Sequence, residues 1–324
     1  SVAMTTMDRW ELISAGSPQG RVSTSSSSVS KANSILLEGH RFTLEIDCTT
    51  AESAVAAGEF IIITQKIEAQ NLQHLLFGSE GSQQALSLRF GFRSPKSGTH
   101  CVALYSPDGN RNIIKEFTVA AADTLEIIKI ENIPGDALGT INNDTGEGLR
   151  VAFPLVCGST YQASADAWAG GEDYATSNQQ NLLDNTSNNI YIAGVQLEVG
   201  SVSTDFEFEL QSVTMAKCQR YFNRITAEED NDSVAFYGCT DTTRGTTFFY
   251  TVPMRASPTV SISGTVPNLP DCDGTVVSIN AAQDDHEHQI HLVHWVVTSG
   301  TTHQVGRLRF ANADTDFIQF TAEL

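Results

Sequence analysis

The feature that most constrains the fold of this chain is an alternation of apolar and polar residues with a period of two. Between Leu86 and Phe92 every second residue is Leu or Phe, and Ser, Arg and Gly stand between them. The same alternation occurs at 42–47 and at 195–199. Because successive side chains of a strand point to opposite faces of a sheet, the pattern predicts β-strands with one buried and one solvated face.

Clusters of turn-forming residues separate the alternating runs. They read SPKSG at 94–98, SPDGN at 106–110 and NNDTG at 142–146. Gly, Pro, Asn, Asp and Ser each favour tight turns, so these clusters mark the ends of strands. Many short strands punctuated in this way are typical of β-sandwiches and jelly rolls. We therefore predict an all-β protein.

One segment departs from the period of two. From about 209 to 222, apolar residues recur at Leu210, Val213, Cys218, Tyr221 and Phe222, which is closer to the helical period of 3.6. Alternation resumes after this segment. We predict an N-terminal jelly-roll β-sandwich at 1–208, a short connecting helix at 209–223 and a smaller C-terminal β-sandwich at 224–324.

Charge and composition exclude several classes of partner. The chain has 38 Asp and Glu against 19 Lys and Arg, a formal net charge of −19. A nucleic-acid-binding surface needs clustered cations, so we expect no nucleic-acid partner. No apolar run is long enough for a membrane span, and we expect no membrane insertion. The 6 cysteines are scattered without a C-x-x-C pair, which predicts reduced, mostly buried thiols.

A set of short motifs in fixed order resembles virion appendage proteins, mainly tail-fibre-like proteins of marine bacteriophages. The most specific motif is YIAGVQLEVG at 191–200, followed by TDFE at 204–207. The others are DRW at 8–10, TQKIE at 64–68, LSLRF at 86–90 with GTHC at 98–101, IPGD at 133–136 with GT at 139–140, CQRYF at 218–222, VPMRASPT at 252–259 and FTAEL at 320–324.

The resemblance implies a jelly roll like that of carbohydrate-binding modules, followed by a C-terminal β domain, in a fibre or spike built as a homotrimer. It implies a location on the virion surface after synthesis in the host cytoplasm, with other tail or capsid proteins and host surface polysaccharide as partners. The sequence departs from the family at two points. Only seven residues precede the DRW motif, which leaves a virion-anchoring end unaccounted for, and Asp205 stands where the family has Pro.

A glycan site is predicted in the segment 161–189. Sugar sites stack an aromatic ring on the apolar face of the sugar and surround it with amides and carboxylates. This segment combines aromatic side chains with Gly, Ser and Asn, which suits a long surface loop. An alternative interpretation places Trp168 in the core. The predicted glycan-binding residues are Tyr161, Trp168, Tyr174, Asn178 and Gln180.

Two kinds of metal site are predicted as alternatives to plain polar loops. On a strand, His286 and His288 share a face, and imidazoles at i and i+2 can bind a transition metal, with three such pairs meeting around a trimer axis. The competing interpretation is an acid-flanked polar turn before a strand. Side chains with oxygen ligands suitable for Ca²⁺ cluster at 228–232 and at Asn143, Asp144 and Glu147. The competing interpretation of both segments is a solvated loop.

No catalytic motif is present in the sequence. It has no G-x-S-x-G, H-E-x-x-H or phosphate-binding loop pattern, and no repeat of the length seen in β-helices. We predict a structural, non-enzymatic phage virion protein, a tail fibre or spike component that contacts the host surface as a multivalent oligomer. A capsid head fibre or decoration protein, and a polysaccharide-degrading enzyme with a pair of carboxylates, are the alternatives.

Overall fold

Contacts along the chain divide it into two units, Ser1–Phe208 and Glu209–Leu324. The computed structural model describes residues 10–16, 22–28, 39–40, 42–226, 233–238, 243–263, 276–285, 290–297, 305–309 and 317–323. In these residues the secondary structure is almost entirely antiparallel β, so the predicted all-β class is confirmed.

The first unit contains eleven strands and two short 3₁₀ helices, at Ala69–Leu75 and Ser159–Tyr161, in its described part. The strands are β1 Trp10–Ala15, β2 Val22–Ser28, β3 Phe42–Cys48, β4 Phe60–Glu68, β5 Leu86–Arg93, β6 Gly98–Ser106, β7 Arg111–Val119, β8 Glu126–Ile133, β9 Glu147–Cys157, β10 Ala169–Gly170 and β11 Asn189–Val199.

These strands form two sheets that face each other. Sheet A has the order β1-β4-β9-β6-β7-β10, and sheet B has the order β2-β3-β11-β5-β8. The chain passes repeatedly from one sheet to the other, as in a jelly roll. Most apolar residues of the alternating runs point into the space between the sheets, where Phe90 of sheet B meets Phe153 of sheet A with ring centroids 4.9 Å apart.

A bulge in β11 joins two alternating runs that are out of phase. Ile190 and Ile192 face the core at even positions, whereas Val195 and Leu197 face it at odd positions. The register against β5 shifts between Ala193 and Gln196, where Gly194 has a positive φ of 53°. One extra residue at this point keeps the apolar side chains of both runs on the core side.

The second unit begins with the single α-helix of the described residues, α1 Gln211–Gln219, which is shorter than the predicted helix. Phe222, counted as helical from the sequence, instead starts β12 and pairs with Thr321. The strands are β12 Phe222–Thr226, β13 Ser233–Gly238, β14 Thr243–Phe249, β15 Thr259–Ser263, β16 Val276–Asp285, β17 Ile290–Val297, β18 Val305–Arg309 and β19 Phe317–Thr321.

The strands of the second unit form two antiparallel sheets. One has the order β12-β19-β15 and the other the order β16-β17-β14-β13-β18. In the smaller sheet, Ile318 and Phe320 of the central strand are fully buried, which gives this unit a core of its own. None of the helices in the described part of the chain has the length and apolar character needed to span a membrane.

Candidate functional site

The outer face of sheet A is apolar and is covered by the chain itself. Its strands carry a second buried cluster on the side away from the main core, and this cluster lies beneath residues 158–180, here called the covering loop. The strand members of the cluster are Phe60, Ile62, Cys101, Ala103, Tyr105, Ile114, Ala152 and Cys157, and the loop adds Tyr174 and Ala175.

Aromatic packing and buried polar bonds hold the covering loop in place. The ring centroids of Tyr161 and Tyr174 lie 4.6 and 5.1 Å from that of Phe60. The Tyr174 hydroxyl accepts a hydrogen bond from Nη1 of Arg150 at 2.7 Å. Arg150 in turn donates to both carboxylate oxygens of Glu147, at 2.7 and 2.9 Å. The guanidinium is thus buried with its charge paired, as an interior arginine requires.

This arrangement overturns part of the predicted glycan site. Tyr174 is 0% exposed, so neither face of its ring is open to a sugar. Burial also raises the pKa of its hydroxyl. Trp168 packs against Phe77 with centroids 5.4 Å apart, and its Nε1 donates to the carbonyl of Pro134 at 2.6 Å. Trp168 therefore packs against neighbouring residues of its own chain, which agrees with the alternative interpretation of this side chain.

The remaining predicted residues lie on the same loop. Tyr161 is half-buried beside Phe60. Asn178 is exposed and its Nδ2 donates to Oε1 of Glu116 at 3.0 Å, while the backbone N–H of Gln180 donates to the carbonyl of Thr99 at 3.0 Å. These bonds tie the loop to sheet A. A sugar-binding role for Asn178 and Gln180 stays a prediction.

The outer face of sheet B is different, because it presents an aromatic ring between charged groups. Tyr191 on β11 pairs across the sheet with Glu45 on β3 and with Arg93 on β5, and we call these three the Tyr191 row. The Tyr191 hydroxyl donates to Oε1 of Glu45 at 2.7 Å. The Arg93 guanidinium carbon lies 4.9 Å from the centre of the Tyr191 ring, within reach of a cation–π contact.

The row beside it is made of small residues. Ala193 pairs with Gly91, and Gly91 pairs with the half-exposed Ile127 on β8. Next across the bulge, Gln196 pairs with Arg89 and Arg89 with Lys129. The strand register thus places two small and buried residues, Ala193 and Gly91, beside the partly exposed Tyr191 row, and Arg89 beyond them is buried as well.

Charge interactions perturb the groups around the Tyr191 row. Asp47 lies two residues from Glu45 on the same face of β3, and burial together with the charge of Glu45 raises its pKa. Burial and the hydrogen bond to Glu45 raise the pKa of Tyr191. Arg93 also approaches Asp123, with Nη2 3.5 Å from Oδ1. The row therefore combines hydrogen-bond donors and acceptors in fixed positions around an aromatic ring.

The segment that follows β11 is hydrogen-bonded to polar side chains of sheet B beyond the bulge. Oγ1 of Thr204 donates a hydrogen bond to Glu198 at 2.8 Å. The same Thr204 oxygen accepts a hydrogen bond from Nε2 of Gln196 at 3.1 Å. Ser203 donates to Glu131 at 3.2 Å through its backbone N–H. Glu45, Tyr191 and Arg93 are partly exposed as well, so polar groups of sheet B reach solvent on both sides of the bulge.

Sequence reasoning missed the Tyr191 row. The sequence indicates the row only through the position of Tyr191, which lies between Ile190 and Ile192 on the polar phase of a strand. An aromatic residue at such a position faces away from the core. The alignment with Glu45 and Arg93 depends on pairing between strands far apart in the sequence, and local patterns do not specify it.

The predicted metal ligands are placed as follows. His286 and His288, and the acidic run at 228–232, lie outside the described residues. Asp144 accepts a hydrogen bond from Gly146 N at 2.8 Å, and Glu147 pairs with Arg150, so both carboxylates have protein partners. Within the described part of the chain no three His, Cys, Asp or Glu side chains are grouped to hold a metal ion.

Comparison with known proteins found carbohydrate-binding modules among the similar solved structures. No protein-family model matches the sequence, and no curated protein does. Among solved structures, TmCBM61 in complex with beta-1,4-galactotriose has a TM-score of 0.32 and 9% identity, covering 60% of this chain and 90% of that one. The family 11 module of cellulosomal cellulase Lic26A-Cel5E of Clostridium thermocellum has a TM-score of 0.29 and 13% identity, covering 60% and 90%.

A phage protein is also among the similar structures. The enzymatically active domain of tailspike protein 4 of bacteriophage CBA120 has a TM-score of 0.30 and 9% identity, covering 59% of this chain and 19% of that one. The similar structures are thus carbohydrate-binding modules together with a tailspike domain. Identities this low place the chain in none of their families.

Proposed function

We propose that the first unit binds glycan on the outer face of sheet B, at the Tyr191 row. The observation that carries this proposal is the cross-strand alignment of Glu45, Tyr191 and Arg93 beside the small residues Ala193 and Gly91. The covering loop closes the outer face of sheet A, whereas Glu45, Tyr191 and Arg93 on the outer face of sheet B are partly exposed.

The chemistry of the row suits a sugar. Glycan sites combine an aromatic surface for the C–H face of the ring with planar polar groups for its hydroxyls. Tyr191 supplies the aromatic group, Glu45 and Asp47 accept from hydroxyls, and Arg93 donates to them. The hydrogen bond to Glu45 and the contact with Arg93 hold the Tyr191 ring in one orientation, which lowers the ordering cost of binding.

We propose further that the chain is a structural, non-enzymatic part of a phage virion, a tail fibre or spike that contacts host surface polysaccharide. The ordered motifs from 8–10 to 320–324 support this role. A homotrimer would present three sites at once, so weak binding at each site would add to strong attachment through effective concentration. A partly exposed row of side chains on a sheet face, without deep enclosure, fits that mode of binding.

Binding to a panel of neutral and acidic polysaccharides, measured by retention in affinity gels and by calorimetry, tests the glycan proposal. We expect Tyr191→Ala to weaken binding to the retained polysaccharide about tenfold or more. Leu138→Ala is the control, because Leu138 is 77% exposed and lies in the connection between β8 and β9. Equal binding by wild type and the Tyr191 variant would disprove the site.

The same incubations separate the alternative functions. New reducing ends in the polysaccharide would identify a polysaccharide-degrading enzyme, whereas retention without cleavage agrees with a binding module. Labelling of the chain in virions, viewed by electron microscopy, separates a tail fibre or spike from a capsid head fibre or decoration protein.

A further inference from the structure

The helix α1 has no buried side chain among the described residues. Residues 211–215, which make up its first turn and a half, are all exposed. The last turn is tied to its neighbours, since the carbonyl of Gln219 accepts from Nδ2 of Asn223 at 2.7 Å and its side chain accepts from Oγ1 of Thr251 at 3.0 Å. The helix is therefore anchored at its last turn, whereas the side chains of its first turn and a half are exposed.

Such a helix is not expected to be stable by itself. Isolated helices shorter than about 12–15 residues are marginal in water, and α1 has 9 residues. Its sequence QSVTMAKCQ contains Ser, Val, Thr and Cys, which are weak helix formers. Leu210 at the N-cap has no side chain that could bond the free backbone N–H groups. Packing against another surface would supply the missing stabilisation.

The exposed apolar side chains of this unit are concentrated at the same place. In the described part of the second unit the large exposed hydrophobic residues are Leu210 at 74%, Val213 at 44% and Met215 at 52%. Leu210 and Val213 lie one turn apart on one side, and Met215 lies on another side. A helix with apolar groups on two sides can contact two neighbours, as each member of a closed ring does.

The local charge allows a contact between identical copies. Two copies of a chain with a net charge of −19 repel each other over most of their surface. Residues 210–216 contain no charged side chain. The charges at the two ends, Glu209 and Lys217, are opposite in sign and form an ion pair within the chain. The start of the helix is therefore a neutral surface with three exposed apolar side chains on an acidic molecule.

We propose that α1 is the contact between copies of this chain, and that its occupant is the same helix of another copy. The contact rests on the helix alone, whereas its use for multivalent attachment rests on the proposed function. A partner from a different protein would not need a neutral surface, because a basic surface could then pair with the acidic chain.

Mass measurement by light scattering and analytical ultracentrifugation tests the contact on the full chain. We expect the wild type to be an oligomer whose mass falls towards one chain in Val213→Glu and Met215→Glu. Glu is a better helix former than Val and matches Met, so circular dichroism should show that these variants stay folded. The charge-matched control is Leu138→Glu, at an exposed position in the first unit, which should keep the wild-type mass.

A monomeric wild type at high protein concentration, or an unchanged mass in both Glu variants, would overturn the contact. The glycan proposal is separable from this result. A monomeric Met215→Glu variant should keep the affinity of wild type for a short soluble oligosaccharide and lose attachment to a surface coated with polysaccharide. If wild type assembles through α1 and binds no glycan, the contact stands and the glycan proposal fails.

Discussion

Arg150 of β9 donates a hydrogen bond to the hydroxyl of Tyr174 at 2.7 Å, and this bond links the covering loop to the centre of sheet A. The same hydroxyl donates to Glu172 at 2.5 Å. Both bonds lie under or beside a fully buried ring. A buried arginine or tyrosine without a hydrogen-bond partner would raise the free energy of the folded state. The two bonds therefore hold the loop in this position.

We expect Tyr174→Phe to lower the free energy of unfolding by about 1.5–3 kcal/mol, since it removes two hydrogen bonds to charged groups and keeps the ring. Urea denaturation measures the change. Tyr161→Phe is the matched control on the same loop, because its half-exposed side chain is reached by water, and we expect a change below about 0.5 kcal/mol. Equal effects of the two substitutions would contradict the role of the Arg150 bond.

Acid should destabilise the first unit through His100. This side chain is 1% exposed between the rings of Phe92 and Phe117, and burial lowers its pKa below the ordinary value of 6.5 despite its bond to the carbonyl of Lys96. The folded state thus binds a proton less readily than the unfolded state. The contribution of His100 to the free energy of unfolding is complete above about pH 6.5. It decreases as the pH falls from that value towards the lowered pKa of the folded state, by up to about 1.4 kcal/mol per pH unit.

Unfolding curves between pH 8 and about pH 5.5 measure this dependence. We expect His100→Leu to flatten the pH profile, whatever its effect on stability at pH 8. His74→Gln is the control, because His74 lies exposed on the 3₁₀ helix Ala69–Leu75 and should leave the slope unchanged. A wild-type slope that persists without His100 would assign the dependence to other groups.

The bulge in β11 predicts that Gly194 resists substitution. Its φ of +53° is strained for any residue with a Cβ, and an added Cβ would overlap Nε2 of His40. We expect Gly194→Ala to cost about 1–3 kcal/mol in thermal or urea unfolding. Gly170→Ala on β10 serves for comparison, since nothing lies within 4 Å of its added Cβ. A near-neutral Gly194→Ala would mean that the strand can pair without the bulge.

The buried thiols should be inert in the folded protein. Burial raises the pKa of the Cys157 thiol to about 12 and also raises that of Cys101, so almost no thiolate is present at neutral pH. Cys218 is only half-buried. We expect iodoacetamide, followed by peptide mass spectrometry, to label Cys218 in the folded protein and Cys101 and Cys157 only after unfolding. Rapid native labelling of Cys157 would show that the covering loop opens.

Assembly should depend on salt, because each added copy brings a charge of −19. The screening length grows from about 8 Å at physiological salt to about 30 Å at 0.01 M, so repulsion between copies strengthens as salt is removed. We expect the sedimentation mass to fall at about 0.01 M NaCl. A mass that is indifferent to salt would indicate that the acidity serves solubility alone.

Much of the first unit could be predicted from local patterns. The alternating runs at 86–92, 42–47 and 195–199 lie in β5, β3 and β11, because a period of two directly reports which side chains face the core. Phe42, predicted on the apolar phase, is 60% exposed at the start of its strand. Strand ends extend past the core, and periodicity carries no information about where the core stops.

The site could not be predicted in the same way. A surface loop and a loop that covers a sheet have similar compositions, since both need Gly, Asn and Ser for turns, so Tyr174 was assigned to a sugar and is instead fully buried. Tyr191 gains its partners from strand pairing over about 100 residues or more of sequence, with Arg93 on one side and Glu45 on the other. Such register is a property of the whole sheet.

The covering loop has a consequence for how such a protein can change. On sheet A every outward side chain beneath the loop is fixed by packing, and most substitutions there should lower stability. The side chains of Glu45, Tyr191 and Arg93 are partly exposed, so their replacement should cost less folding energy. The contacts made by one face could therefore be changed by exchanging a few residues, while the opposite face preserves the fold.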